Sequence, residues 1–129
     1  MEKELVCRPV GYIHTQYHSV SETPKALAEA ADVISSMRIK PEYREAMAVI
    51  SPGKNYMIVF WLDRAGEVRQ TIPIRGTGPM TGLFSTHAPA RPNPIGVSIV
   101  EVVSIEDMTV YFLGADMLAG TPVLDIKSA

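Results

Sequence analysis

Apolar and polar positions fall into short stretches divided by turn residues. VCRPVGYIHT over residues 6–15 predicts a strand, with Gly11 as a bulge or a point of close packing. Residues 24–31 are rich in alanine, with Thr23 as a cap and Pro24 in the first position, and predict a short helix. VISSMRIK (33–40) has the β-branched content of a strand, and PEYREAM (41–47), with two acids near its start, suits a second short helix. YMIVFWL (56–62), the turn Asp63-Arg64-Ala65-Gly66 and the partly alternating EVRQTIPI (67–74) together predict a hairpin. Three further strands follow at 97–105, 109–114 and 122–127.

Short strands at this spacing predict an all-β fold, a small antiparallel single-sheeted β-barrel with one or two short helices, as one domain over residues 1–129. A doubly wound α/β sheet would need long crossover helices, and neither 24–31 nor 41–47 sits between parallel-strand candidates. Residues 56–62 are apolar at every position, whereas a strand with one wet face should alternate. Both of its faces are therefore expected to be covered, one by the barrel core and the other by a helix of the same chain or by a partner subunit.

Composition narrows the classes. With 47% hydrophobic and 20% charged residues, the 129-residue chain has the makeup of a globular core former. Cys7 is alone, which excludes a disulfide within the chain and a multi-cysteine zinc site. The longest apolar run, Tyr56 to Leu62, is far too short to span a membrane, and the start MEKELVCRPV has no secretory pattern, so a cytoplasmic protein is expected. The net charge of −2 argues against coating nucleic acid by charge alone. That charge is unevenly spread. Arg64, Arg69, Arg75 and Arg91 outnumber Asp63 and Glu67 in the middle of the chain, while Glu101, Glu106, Asp107, Asp116 and Asp125 face only Lys127 at its end.

The candidate chemistry lies in GTGPMTGLFSTHAPARPNPIG (76–96), where glycines and prolines exclude regular structure and prolines stiffen the chain. A few residues would suffice to join two strands, so a long stiff loop predicts a binding role. No glycine-rich dinucleotide fingerprint, phosphate-binding lysine loop or zinc-protease motif is present. His14 and His18 do not share a face in extended chain, so no metal is expected, and Ser85 beside Thr86-His87 does not by adjacency make a nucleophile and base.

GLFSTHAPARPNPIGVS, then GADMLAGTPVLDIK, together with the opening PVGYIHT, resembles the paired signatures of the TsaA-like family of S-adenosylmethionine-dependent tRNA adenosine methyltransferases. The resemblance runs over nearly the whole chain. It implies a β-barrel rather than a Rossmann-type methyltransferase, a homodimer, and a cofactor held near the subunit interface. It also implies methylation of the exocyclic amine of a threonylcarbamoylated adenosine just 3′ of the tRNA anticodon.

Carried onto the matching positions, the resemblance marks Phe84, Thr86, His87, Arg91, Asn93, Gly96 and Val97 as cofactor contacts, with Asp116, Met117, Leu118 and Ala119 as a second cofactor segment. Asp63, Arg64, Asp125 and Lys127 become candidates for the substrate side; a hairpin turn and an ion pair, respectively, account for them equally well. No residue stands out as a general base. The sequence departs from the family pattern in three places. His87 stands in place of the usual Arg, Ala119 in place of an Asp, and the chain ends at DIKSA rather than continuing through DIKPY. Two other readings stay open: a methyltransferase for a different substrate, and a non-enzymatic cofactor-binding dimeric barrel.

Overall fold

The computed structural model describes residues 2–16, 33–62, 65–114 and 116–129. Among the described residues eight strands follow one another: β1 (Gly11–His14), β2 (Ile34–Ile39), β3 (Asn55–Trp61), β4 (Thr71–Pro73), β5 (Met80–Gly82), β6 (Ile95–Glu106), β7 (Thr109–Leu113) and β8 (Pro122–Ser128). Six of them form a closed barrel in the order β1-β2-β7-β6-β3-β8, and β8 pairs with β1 to complete the ring. Every pairing is antiparallel. Closure removes the free edges that an open sheet of this size would expose.

Period-two patterning explains which side chains point inward. Along β3 the buried residues are Tyr56, Ile58 and Phe60, while Met57, Val59 and Trp61 face outward. Opposite them on β6, Val100 lies across from Tyr56, Ser98 from Ile58 and Gly96 from Phe60. Ile13, Met37, Ile58, Val100, Val102, Val110, Phe112 and Val123 fill the interior and are almost wholly excluded from solvent. The register slips between Val59 and Phe60 on β3, and between Val102 and Ser104 on β6. Such bulges bend a strand and increase its twist, which lets so few strands close. Gly11 is a point of close packing, because a Cβ there would collide with the Arg38 carbonyl of the adjoining strand.

Four sequence expectations are corrected. First, the segment after β3 does not return along it as a hairpin. Both edges of β3 are occupied, by β6 and β8, so β4 pairs instead with β5 in a separate two-stranded sheet. Second, the fold is consequently not single-sheeted. Third, the loop 76–96 is not wholly irregular, since it contains β5 and a 3-10 turn at Leu83–Ser85. Fourth, the helix expected over 41–47 is two successive 3-10 turns, Pro41–Tyr43 and Glu45–Met47, broken at Arg44. The first strand is also shorter than its sequence pattern, beginning only at Gly11. The helix expected at 24–31 lies outside the described residues, as do Asp63 and Arg64. Among the described residues no helix is long and apolar enough to cross a membrane.

Within the single chain the outer face of β3 is only partly covered. Met57, Val59 and Trp61 are half-buried beside Ile99, Val97 and Ile95 of β6, which are 55%, 48% and 40% exposed. Six apolar side chains on two neighbouring strands thus form one continuous outward patch.

Candidate functional site

Among the described residues, cavities open at both ends of β3. One, of about 300 Å³, is bordered by Tyr56, Ile39, the two 3-10 turns and the end of β8. The larger, of about 740 Å³, opens where β3 ends and β6 begins, between the Gly/Pro-rich loop and the segment after β7. That volume is within the range of small-molecule and cofactor sites.

Three chain segments build the larger cavity. Phe60 and Leu62 come from the end of β3; Thr86, His87, Pro89 and Arg91 come from the loop, which runs on into Ile95, Gly96, Val97 and Ser98 of β6. Asp116, Met117, Leu118 and Thr121 close the other side. The loop is knitted by its own polar groups. Thr86 Oγ1 donates to Leu83 O at 2.7 Å and accepts from Ala88 N at 3.2 Å. Arg91 Nη1 donates to Thr86 O at 2.8 Å and Ala88 O at 3.1 Å, with Leu83 O at 3.5 Å. Ser98 Oγ donates to Asp116 Oδ1 at 2.8 Å and ties the two walls together, and Thr121 Oγ1 donates to Leu118 O at 2.7 Å. Leu62 N donates to Pro94 O at 2.6 Å, which joins the end of β3 to the loop.

Close approach of backbone sets the floor. A Cβ on Gly96 would lie 2.6 Å from Cε2 and Cζ of Phe60, so only glycine lets that ring lie flat across β6. Phe60 is buried, as is Met117, which also packs in the barrel core.

The structure brings Thr86, His87, Arg91, Gly96, Val97, Asp116, Met117 and Leu118 of the sequence candidates around this one cavity. Ala119 adjoins them in the chain without lining it. Asn93 does not line it either; it is exposed, and its carbonyl accepts from Ile95 N at 2.7 Å. Phe84 does not line it and is 81% exposed. Asp125 and Lys127 border the smaller cavity instead, as an exposed ion pair at 3.1 Å. Phe60, Leu62, Ala65, Pro89, Ile95, Ser98 and Thr121 line the larger cavity and were not sequence candidates. The inward phase of β3 could have found Phe60, and Ser98 follows Gly96 by one inward step on β6, but the others carry no signal of their own.

Among the described residues Arg91 is the only Lys or Arg in the lining, and its Nη1 is committed to backbone carbonyls; Asp116 is the only described carboxylate there. Among the described residues no group of three or more His, Cys, Asp or Glu side chains comes together in the geometry of a metal site.

A family model described as the tRNA-methyltransferase O N-terminal domain matches residues 12–128. An S-adenosyl-L-methionine-binding protein of Archaeoglobus fulgidus is 28% identical over 123 residues, covering 95% of this chain and 88% of that protein. The human tRNA (adenine(37)-N6)-methyltransferase is 31% identical over 132 residues, covering 95% of this chain but 30% of the human protein. Crystal structures of TrmO superpose with TM-scores of 0.81 and, for the Pseudomonas protein, 0.80, at 28% and 26% identity. Each superposition covers 98% of this chain but only 58% and 56% of the respective TrmO chains, so this chain spans little more than half their length. With its model matched along residues 12–128, the chain belongs to the tRNA-methyltransferase O N-terminal domain family.

Proposed function

We propose that this chain binds S-adenosylmethionine in the larger cavity and methylates tRNA, at the exocyclic amine of the threonylcarbamoylated adenosine 3′ of the anticodon. One observation carries the reading. Motif positions from two distant segments, 86–97 and 116–118, converge on a single cavity of about 740 Å³ at one end of the barrel.

The residues present fit the cofactor. Phe60, Leu62 and Ile95 offer an apolar wall for its adenine and methylene carbons. Asp116, held through one oxygen by Ser98, has its second oxygen for a ribose hydroxyl or the amino group. When bound, S-adenosylmethionine supplies a methyl group that an amine nitrogen can take by in-line displacement. Such a reaction asks for alignment more than for acid–base chemistry, and good alignment is worth several kcal/mol of barrier, up to roughly 7–11. The stiff loop, the Ser98–Asp116 bridge and the Phe60 floor are the parts that hold that alignment.

The active form in this reading is a cytoplasmic homodimer joined through the outward β3–β6 patch. Val97 belongs both to that patch and to the cavity lining, so a second copy seated there would border the cofactor. Ile99→Glu, which places a charge in the patch away from the cavity, is expected to weaken self-association by about tenfold or more. Sedimentation equilibrium checks this, and a wild-type chain that is monomeric at micromolar concentration would remove the dimer.

The central test combines calorimetry with transfer of a labelled methyl group to tRNA bearing or lacking the threonylcarbamoyl group. Label on the modified RNA alone supports the full reading. Equal labelling of both RNAs removes the base specificity, cofactor heat without transfer leaves a cofactor-binding protein, and no heat removes the cavity assignment.

A further inference from the structure

Phe84 is a large aromatic side chain that a rigid mount pushes into solvent. Its neighbour Leu83 is buried, and the 3-10 turn Leu83–Ser85 reverses direction so that the ring leaves the surface. Leu83 N donates to Gln70 O at 2.9 Å and Thr86 N to Leu83 O at 3.0 Å, while Ser85 Oγ donates to Gly82 O at 2.8 Å. Nothing in these contacts needs a phenyl ring. The ring is outside the cavity lining, yet Phe84 stands only two positions before Thr86, which lines it. The Arg91 guanidinium carbon lies 5.8 Å from the ring centroid, so one flank of the ring already has a cationic neighbour.

The surroundings are basic. Residues 65–96 carry Arg69, Arg75 and Arg91 against Glu67 alone. Arg69 is drawn to this surface by its backbone, whose N–H donates to Ala90 O at 3.0 Å beside Arg91. Arg75 is exposed at the turn between β4 and β5, held in the left-handed region at φ 52°. The ion pairs of the described residues are Arg44–Asp107 and Asp125–Lys127, so among these residues neither Arg69 nor Arg75 has a carboxylate partner.

We infer that Phe84 is a stacking platform for an unpaired base of the RNA beside the nucleotide being modified, with Arg69 and Arg75 meeting the adjoining phosphates. The inference rests on the tRNA reading above and adds to it the surface that receives the RNA. A solitary exposed aromatic with arginines around it suits a nucleobase, whose π-face stacks whatever its sequence. It suits a second copy of the chain less well, since the contiguous apolar surface is on β3 and β6, whereas the chain neighbours of Phe84 are the buried Leu83 and the exposed, polar Ser85.

The test uses the full chain with a tRNA anticodon stem-loop, measuring RNA affinity by fluorescence anisotropy across a salt series. Cofactor affinity by calorimetry and mass by sedimentation are recorded on the same samples. Phe84→Ala is expected to weaken RNA binding about tenfold, with cofactor affinity and mass unchanged, and Phe84→Trp to retain it. Arg69→Ala/Arg75→Ala is expected to flatten the salt dependence by about 1.4 in log–log slope, the value for two single-strand phosphate contacts. Unchanged RNA affinity in Phe84→Ala overturns the inference. So does lost cofactor affinity, which would make the ring a cofactor contact, or altered mass, which would make it an interface residue. A wild-type chain that binds cofactor but no RNA overturns the tRNA reading itself, and the platform with it.

Discussion

Gly96→Val is expected to reduce S-adenosylmethionine affinity about 100-fold or more, a loss of roughly 2.7 kcal/mol, while leaving the barrel folded. Gly96 is not at positive φ, so a branched residue meets no backbone penalty there; β-branched residues are favoured in strands. What it meets is the Phe60 ring, 2.6 Å from where its Cβ would stand and well inside van der Waals contact. Phe60 is buried against the barrel interior, and the open space beside it is the cavity. The ring must therefore swing into the volume proposed for the cofactor. Overpacking of this kind costs about 1–3 kcal/mol, but here the displaced group also fills the site. Calorimetry with the cofactor and circular dichroism together check the prediction. Phe60→Leu in the Gly96→Val background is expected to recover much of the affinity, because the two changes share one contact and cannot be additive. Affinity within threefold of wild type in the single variant would mean that the cofactor is held elsewhere.

That contact illustrates what could be read from the chain and what could not. Strands β2, β6, β7 and β8 coincide with their sequence patterns to within one or two residues, because β-branched runs and period-two alternation are local properties. Partner choice is not local. The turn residues after β3 looked like the corner of a hairpin, but β3 is paired on both sides with strands far along the chain, and no nearby residue encodes that. The three-residue strands β4 and β5 were hidden for a different reason. Glycine and proline mark irregular chain, and a pair that short offers no period to set against them. Within the loop the family motif located Thr86, His87 and Arg91 at the cavity, but it also marked Phe84 and Asn93, which are exposed and do not line it. Facing can be read in a strand and not in an irregular loop, so a motif there gives membership of a site without direction.

Arg91→Lys is expected to weaken cofactor binding by about tenfold or more even though the charge is kept. Sequence resemblance marks Arg91 as a cofactor contact; the structure gives its Nη1 a different task. That nitrogen donates to the carbonyls of Thr86 and Ala88, with Leu83 at the outer limit, and so gathers three points of the loop 83–91 onto one group. Hydrogen bonds from a charged donor are worth about 1.5–3 kcal/mol each, so the guanidinium supplies more than the affinity of a typical weak ligand contact. The lysine ammonium is a point charge on a flexible stem and cannot reproduce a planar fork at those positions. Thr86 and His87, which line the cavity on the same loop, would then lose their fixed places. The effect should be entropic in origin: the variant is expected to bind with a larger unfavourable entropy than wild type, and amide exchange over residues 83–91 should accelerate. If Arg91→Lys lost affinity with no change in loop exchange, the guanidinium would be touching the cofactor directly. If it lost neither affinity nor protection, the carbonyls it gathers would be holding their places through the prolines alone.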